Sequence, residues 1–234
     1  MKSNKAKVLH ELLGKPMIMY VAETAVKIAG NNVVIVVGNQ ADAVKKAVSD
    51  HLKVFFSVQE VQLGTGHAVR CAFPCLPDQI EQVVILNGDV PLLTSNTVID
   101  LLEDHLSERR HISVLAVEVE NPKGYGRIIF DKSMHVDEII EESDANEEQK
   151  AIKTINTGTY CVQKEYLFNS VKRITSNNAQ SEFYLTDIIK IGNEEGKTVG
   201  VLVGKDPEEF VGINNPLQLV SAEKILKNRL GNMT

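Results

Sequence analysis

One pattern limits what this chain can fold into: short Val- and Ile-rich runs alternate with longer amphipathic stretches. "NVVIVVG" (32–38), "VVILNG" (83–88) and "ISVLAVEV" (112–119) are continuously apolar and do not alternate with polar residues. Strands of that kind are buried on both faces, so helices must cover both sides of their sheet. Helical patterns at 16–29, 41–49 and 66–73 supply that cover, as does "SNTVIDLLEDHLSE", with Ser95 as its expected N-cap. The alternation implies an α/β fold: three layers, doubly wound, around a mostly parallel sheet. Right-handed crossovers then bring the C-terminal ends of these strands to one edge.

The second half reads differently. "GRIIF", "VDEIIEE" and "TINTGTYCV" follow one another closely and read as antiparallel additions to the sheet. "DANEEQKAIK" is a charged surface segment, a loop or a short helix. "SEFYLTDIIKIGNEEG" reads as an amphipathic helix ended by Gly196. "TVGVLVG" is a last strand, and "NPLQLVSAEKILKNRLGNMT" a closing helix with a fraying tail. No linker or repeat interrupts this order. One domain is expected over 1–227, with a tail at 228–234.

Composition narrows the function. With 234 residues, 43% of them hydrophobic, the chain can bury a substantial core. A net charge of -6 lacks the basic excess of a nucleic-acid-binding surface. No run of about 18 or more apolar residues appears, so no membrane span is expected, and the cytoplasm is the expected location. Cys71, Cys75 and Cys161 are an odd and sparse set, better suited to buried thiols in a reducing compartment than to a disulfide framework. Cys71 and Cys75 lie one helical turn apart, but a structural zinc needs four ligands.

The residues with chemical promise sit at strand ends. In "VVILNGDVPLL" the apolar run breaks into Asn-Gly-Asp, placing Asp89 just past the end of a strand. Ligands in doubly wound sheets bind there, and a carboxylate can hold a hard divalent cation. Asp is equally a favoured turn residue. "VQEVQLGTGHAVR" (58–70) sets Gln59 and Gln62 before a glycine-lined loop that enters a helix, which can present backbone N–H groups to an anion or a base; an ordinary strand-to-helix turn reads as well. "NPKGYGRIIF" places Gly124 and Gly126 around Tyr125, as a hairpin turn also would. "TINTGTY" puts Asn156 inside an apolar run, where its amide must find partners. In "GINNPLQL", Asn214 and Asn215 precede a helix that either could cap.

Taken together, "KVLHELLGKPM", "QEVQLGTGHA", "GDVPLL", "GYGRI", "INTG", "NNAQSEFYLTDII" and "GINNPLQL" occur in order along nearly the whole chain. The chain thereby resembles the uridyltransferase domain of bacterial N-acetylglucosamine-1-phosphate uridyltransferases. Carried over residue by residue, the resemblance implies that Asp89 and Asn214 ligate Mg²⁺. It implies that Gln59, Gly64 and Thr65 recognise uracil. Gly126, Glu141, Asn156 and Thr157 would hold the N-acetylglucosamine, with Glu182 and Tyr184 lining the sugar side. Lys7 would sit against the phosphates as the catalytic cation.

The implied reaction joins UTP and N-acetylglucosamine 1-phosphate into UDP-N-acetylglucosamine, a precursor of peptidoglycan and lipopolysaccharide, and releases pyrophosphate. The attacking phosphate has a second pKa near 6. It therefore needs no dedicated base, which agrees with finding no Ser-His-Asp or Cys-His arrangement.

Three departures from the family pattern stand out. The family usually opens with a strand and a loop of the form L-A-A-G-x-G-T-R-M, and this chain starts at the Met that would end it. The strand is expected to be central, so its neighbours should expose their edges. The β-helical acetyltransferase half found in many members, on which the family's trimer depends, is not in this sequence, so a monomer is the default expectation. Asn87 stands where an aromatic often precedes the Gly-Asp pair. Two alternatives remain beside the uridylyltransferase: a weakly active or inactive domain that binds a sugar nucleotide, and a transferase for another sugar 1-phosphate.

Overall fold

The structure, a computed structural model, describes residues 5–231. A small hairpin of β1 (Glu11–Leu12) and β2 (Lys15–Pro16) leads into α1 (Met17–Ala29), β3 (Val34–Val37), α2 (Ala41–Ser49), β4 (Phe55–Val58) and α3 (Thr65–Ala72). β5 (Gln82–Ile85), α4 (Ser95–Ser107) and β6 (Ile112–Glu118) continue the alternation. β7 (Arg127–Phe130), β8 (Val136–Ile140), α5 (Glu147–Lys150) and β9 (Thr154–Gln163) follow. The chain closes with α6 (Lys164–Ser170), α7 (Asp187–Glu194), β10 (Val199–Val203) and α8 (Pro216–Gly231).

β9 is the hub of a six-stranded sheet. β6 pairs along one of its edges, while β5 and β7 pair along the other; β10 joins β6, and β8 joins β7. The pairings set the directions. β5, β6, β7 and β10 run one way and β8 and β9 the other, so the sheet is mostly parallel with antiparallel members from the second half. β6 shows why continuously apolar strands need cover on both faces. Ile112, Val114 and Ala116 pack with Leu167, Ile188 and Ile189 on one side. Leu115 and Val117 pack with Val98 and Leu101 of α4 on the other. That is the three-layer arrangement the sequence implied.

β3 and β4 form a separate two-stranded parallel sheet. The amide of Ala6 donates to Gln40 Oε1 just past β3, while the neighbouring Lys7 reaches Asp89 just past β5. Both strands therefore point their C-terminal ends at the turn Lys7–Leu9. β3 and β5 do not pair with each other. Between them lies a cavity of about 750 Å³ lined by residues 33–37 and 83–86, with α1 and α3 contributing apolar side chains. Among the described residues, the facing edges of β3 and β5 are bridged by no third strand.

Several local expectations change. Thr94, not Ser95, caps α4: its side chain accepts from the Thr97 amide at 3.3 Å, and Ser95 is already helical. The helix expected across "SEFYLTDIIKIGNEEG" begins only at Asp187. The Phe183 amide bonds Leu63 O and the Leu185 amide bonds Thr65 Oγ1, which ties 183–185 to the loop before α3. α8 continues through Gly231, past the boundary expected at 227, because Arg229 bonds Leu92 O and Asp206. Residues 232–234 of the expected tail lie outside the described residues. No helix among the described residues is long and apolar enough to cross a membrane.

Candidate functional site

A cleft of about 230 Å³ opens where β5, the bulged start of β9 and the loop before α8 meet. Its lining includes Thr65, Asp89, Gly126, Glu141, Asn156, Thr157 and Asn214. Seven of the residues singled out in the sequence thus come together from segments up to about 150 positions apart.

One rim of the cleft is charged. Asp89 leaves β5 in a turn closed by the Val90 amide on Asn87 O, and its own carbonyl accepts from the Ile213 amide. That second bond carries the chain of residues 213–215 to the end of β5. The Asp89 carboxylate accepts from Lys7 Nζ at 2.5 Å, and Asn214 Oδ1 accepts from the same nitrogen at 2.8 Å. The two neighbouring asparagines divide their work. Asn215 Oδ1 accepts from the Gln218 amide at the start of α8, whereas the Asn214 side chain turns to the cleft. Helix capping therefore accounts for Asn215 and not for the Asn214 carboxamide.

Asp89 and Asn214 thus present oxygens to a single cationic nitrogen. Both are hard ligands of the type Mg²⁺ takes, and Mg²⁺ commonly uses few protein oxygens and completes its shell with phosphates and water. Among the described residues no cluster of three or more His, Cys, Asp and Glu could hold a metal. The donor set fits a cation shared with a phosphate ligand and does not fit an all-protein cage.

The opposite wall is neutral at its centre and tightly bonded. β9 pairs with β6 through a bulge: Leu115 faces Thr159, Ala116 faces Asn156, and Thr157 and Gly158 are extra. Thr157 Oγ1 donates to Leu115 O at 2.7 Å and accepts from the Thr159 amide at 3.2 Å. Asn156 Oδ1 accepts from the Gly158 amide at 2.9 Å, and its Nδ2 donates to Tyr160 Oη at 2.8 Å. The buried amide thus has internal partners yet keeps one N–H and one lone pair for a ligand. Gly158 has φ +75°, and a Cβ there would collide with the Asn87 amide. Asn87 Nδ2 donates to Thr157 O at 3.4 Å, tying the end of β5 to the bulge.

Glu141 and Gly126 close this wall. Burial raises the Glu141 pKa, opposed by the Thr186 hydroxyl and reinforced by Asp144, Asp187 and Glu182 nearby. Arg127, next to Gly126, is 1% exposed. Its guanidinium donates to Tyr125 O, to Lys150 O and to Glu142, whose pKa it holds below the usual carboxylate range. Arg127 therefore fixes both backbone segments that carry Gly126 and Glu141.

The remaining candidates stand outside the cleft. Gln59 is buried beneath the loop before α3, with Nε2 donating to Gly64 O at 3.0 Å. Gly64 has φ +104° and sits where a Cβ would strike the backbone of Phe183, so only glycine fits. Tyr184 hydrogen-bonds Gln180 and Asp144 through its hydroxyl. Glu182 pairs through its backbone with Asn178. These two shape the segment behind the cleft and do not line it. Sequence reading passed over Arg127 and Thr186. An Arg heading the apolar "RIIF" was the available signal for the first, and none marked the second.

A family model for nucleotidyl transferases matches residues 2–207. The chain is 44% identical over 230 residues to "Bifunctional protein GlmU" of Caldanaerobacter subterraneus, which covers 98% of this chain and 50% of that protein. It is 40% identical over the same length to the protein of that name from Bacillus subtilis, again 50% of it. The chain thus spans about half the length of the curated relatives it matches. In three dimensions it is similar to HddC from Yersinia pseudotuberculosis, with a TM-score of 0.70 at 19% identity over 97% of this chain and 92% of that one. A second structure of HddC, complexed with GMP-PN, gives 0.68 at 20% identity, covering 97% and 93%. With a family model matching nearly nine-tenths of its length, a fold shared with HddC and a cleft at the strand ends, the chain belongs to the nucleotidyl transferase family.

Proposed function

We propose that this domain transfers the uridylyl group of UTP to N-acetylglucosamine 1-phosphate, forming UDP-N-acetylglucosamine and pyrophosphate. The observation that carries the reading is the convergence of Asp89 and Asn214 oxygens on one point at the rim of a cleft walled by Asn156 and Glu141. The 44% identity to a bifunctional GlmU protein over 98% of the chain supports the same reading.

The chain's own groups divide the task. Asp89 and Asn214 would hold Mg²⁺, which when bound supplies charge neutralisation at the phosphates. Lys7 stands beside them to add positive charge against the triphosphate. Asn156, Thr157 and Gly126 would orient the sugar, and the Glu141 carboxylate would accept from its hydroxyl or amide groups. Thr65 at the start of α3, with Gly64 and Gln59 shaping the loop before it, faces the nucleotide side. The sugar phosphate is already mostly ionised near neutral pH, so orientation and electrostatics carry the rate.

Incubation of the protein with UTP, Mg²⁺ and N-acetylglucosamine 1-phosphate tests this by coupled pyrophosphate release. Turnover that drops at least tenfold with glucose 1-phosphate is expected. Equal rates with both sugars would remove the substrate assignment, and pyrophosphate release independent of any sugar would remove the transfer reaction.

A further inference from the structure

Lys7 does more in this structure than lie near the place where phosphates would bind. Its Nζ is hydrogen-bonded to Asp89 Oδ2 and to Asn214 Oδ1 at once. Those are the two oxygens proposed for the cation. We infer that Lys7 is an internal competitor for the cation seat: its ammonium neutralises Asp89 until a divalent cation takes both oxygens, and the displaced ammonium then turns to the phosphate that arrives with the cation. The inference rests on the seat proposed above and assigns Lys7 two successive partners instead of one.

The local construction suits such an exchange. The backbone around Lys7 is held: the Ala6 amide bonds Gln40 Oε1 at 3.0 Å, the Leu9 amide bonds Ala6 O, and Ala6 and Leu9 are both buried. The side chain itself is 40% exposed, and the Asp89 side chain 23%. A lysine head on a four-carbon stem can thus change partners without moving the chain that carries it. A part-exposed ion pair of this kind is weak enough to be displaced. A divalent cation offers twice the charge to the same carboxylate.

The arrangement also addresses a problem the rim poses. Asp89 and the phosphates are both anionic, and in the absence of a cation a bare carboxylate would repel the nucleotide. An ammonium kept on the carboxylate removes that repulsion. It also places a positive charge within reach of the ligand at the moment the cation replaces it.

The test is Mn²⁺ binding to the whole chain without nucleotide, followed by calorimetry or by electron paramagnetic resonance of the free ion. Lys7→Met is expected to bind Mn²⁺ about tenfold more tightly than the unchanged protein, since a competing charge is gone. With Mn²⁺ saturating, the same variant is expected to bind UTP at least about fivefold more weakly, because the displaced ammonium is no longer there to meet phosphate. Asp89→Ala should lose Mn²⁺ binding and so locate the seat. Unchanged or weaker Mn²⁺ affinity in Lys7→Met overturns the competition. Unchanged UTP affinity overturns the second partner. Mn²⁺ affinity is read without turnover, so failure of the proposed transfer reaction would leave this result distinct.

Discussion

The two sides of the cleft are built by different means. The wall proposed to face the sugar stands on β7 and β9, and its polar atoms are buried and committed: Thr157 to Leu115, Asn156 to Tyr160, and Arg127 to three partners behind Gly126. The rim proposed to meet the phosphates stands on a short turn and on a loop before α8, and its charged groups are part-exposed and bonded to one another. Hydroxyl positions on a neutral ring can only be told apart by atoms that do not move. A polyphosphate instead needs charge whose arrangement can change as cation and ligand enter. On the proposed function, the fixed wall would serve selection and the adjustable rim the chemical step.

Substitutions can sharpen or break that division. The largest effect belongs to the rim. Asp89→Ala should lower turnover on the order of 1000-fold, about 4 kcal/mol of transition-state stabilisation, with the melting temperature little changed. Initial rates with a melting curve check this, and a rate within tenfold of the unchanged protein would break the division. The wall should act on binding instead. Asn156→Ala is expected to raise KM for the sugar phosphate by about 10- to 100-fold, from roughly 1–3 kcal/mol of lost hydrogen bonding, and to leave KM for UTP within about twofold. Equal weakening of both substrates would mean that the two sides are not separate.

The smallest effect concerns stability and pH. Glu141 holds its proton more tightly in the folded chain than in the unfolded one, first because of burial. Stability is therefore lost as pH rises from the ordinary value of 4.5 through the raised folded value, and it stays lower above that. Glu141→Gln, neutral at every pH, should melt higher than the unchanged protein at pH 7.5, and the advantage should vanish below about pH 4.5. A variant less stable at both pH values would show that the carboxylate is a structural partner, not a tolerated strain.

The layered fold was legible because it is written in local patterns. "ISVLAVEV" could only be a strand covered on both faces, and β6 is one. Phe55–Val58 was passed over because its run is short, only four residues. The residues 181–186 were misread as helix because their apolar spacing fits one. A tertiary tie from Phe183 to Leu63, invisible to periodicity, holds them in an irregular loop that turns into α7. The candidate site was legible as a set of odd residues at strand ends, and the resemblance gave those residues expected roles. What sequence could not supply was the second layer of bonds. The bulge that aims Asn156 depends on a register shift opposite Leu115 and Ala116, and two of the three partners of Arg127 are carbonyls that any residue could provide.

The cavity between β3 and β5 carries a mechanical consequence. Main-chain hydrogen bonds normally run from strand to strand across an entire sheet, so that opening one strand loads the next. Here that relay stops at two facing borders, and the seam is bridged by side chains, helices and the main-chain bonds of Leu63 and Gly66 with Phe183. Opening of the unit of α1, α2, β3 and β4 would then be resisted by packing more than by shared strand ladders. The loop bearing Gln59 and Gly64 leaves β4 and is pinned to Phe183, so it couples that unit to the rest of the domain.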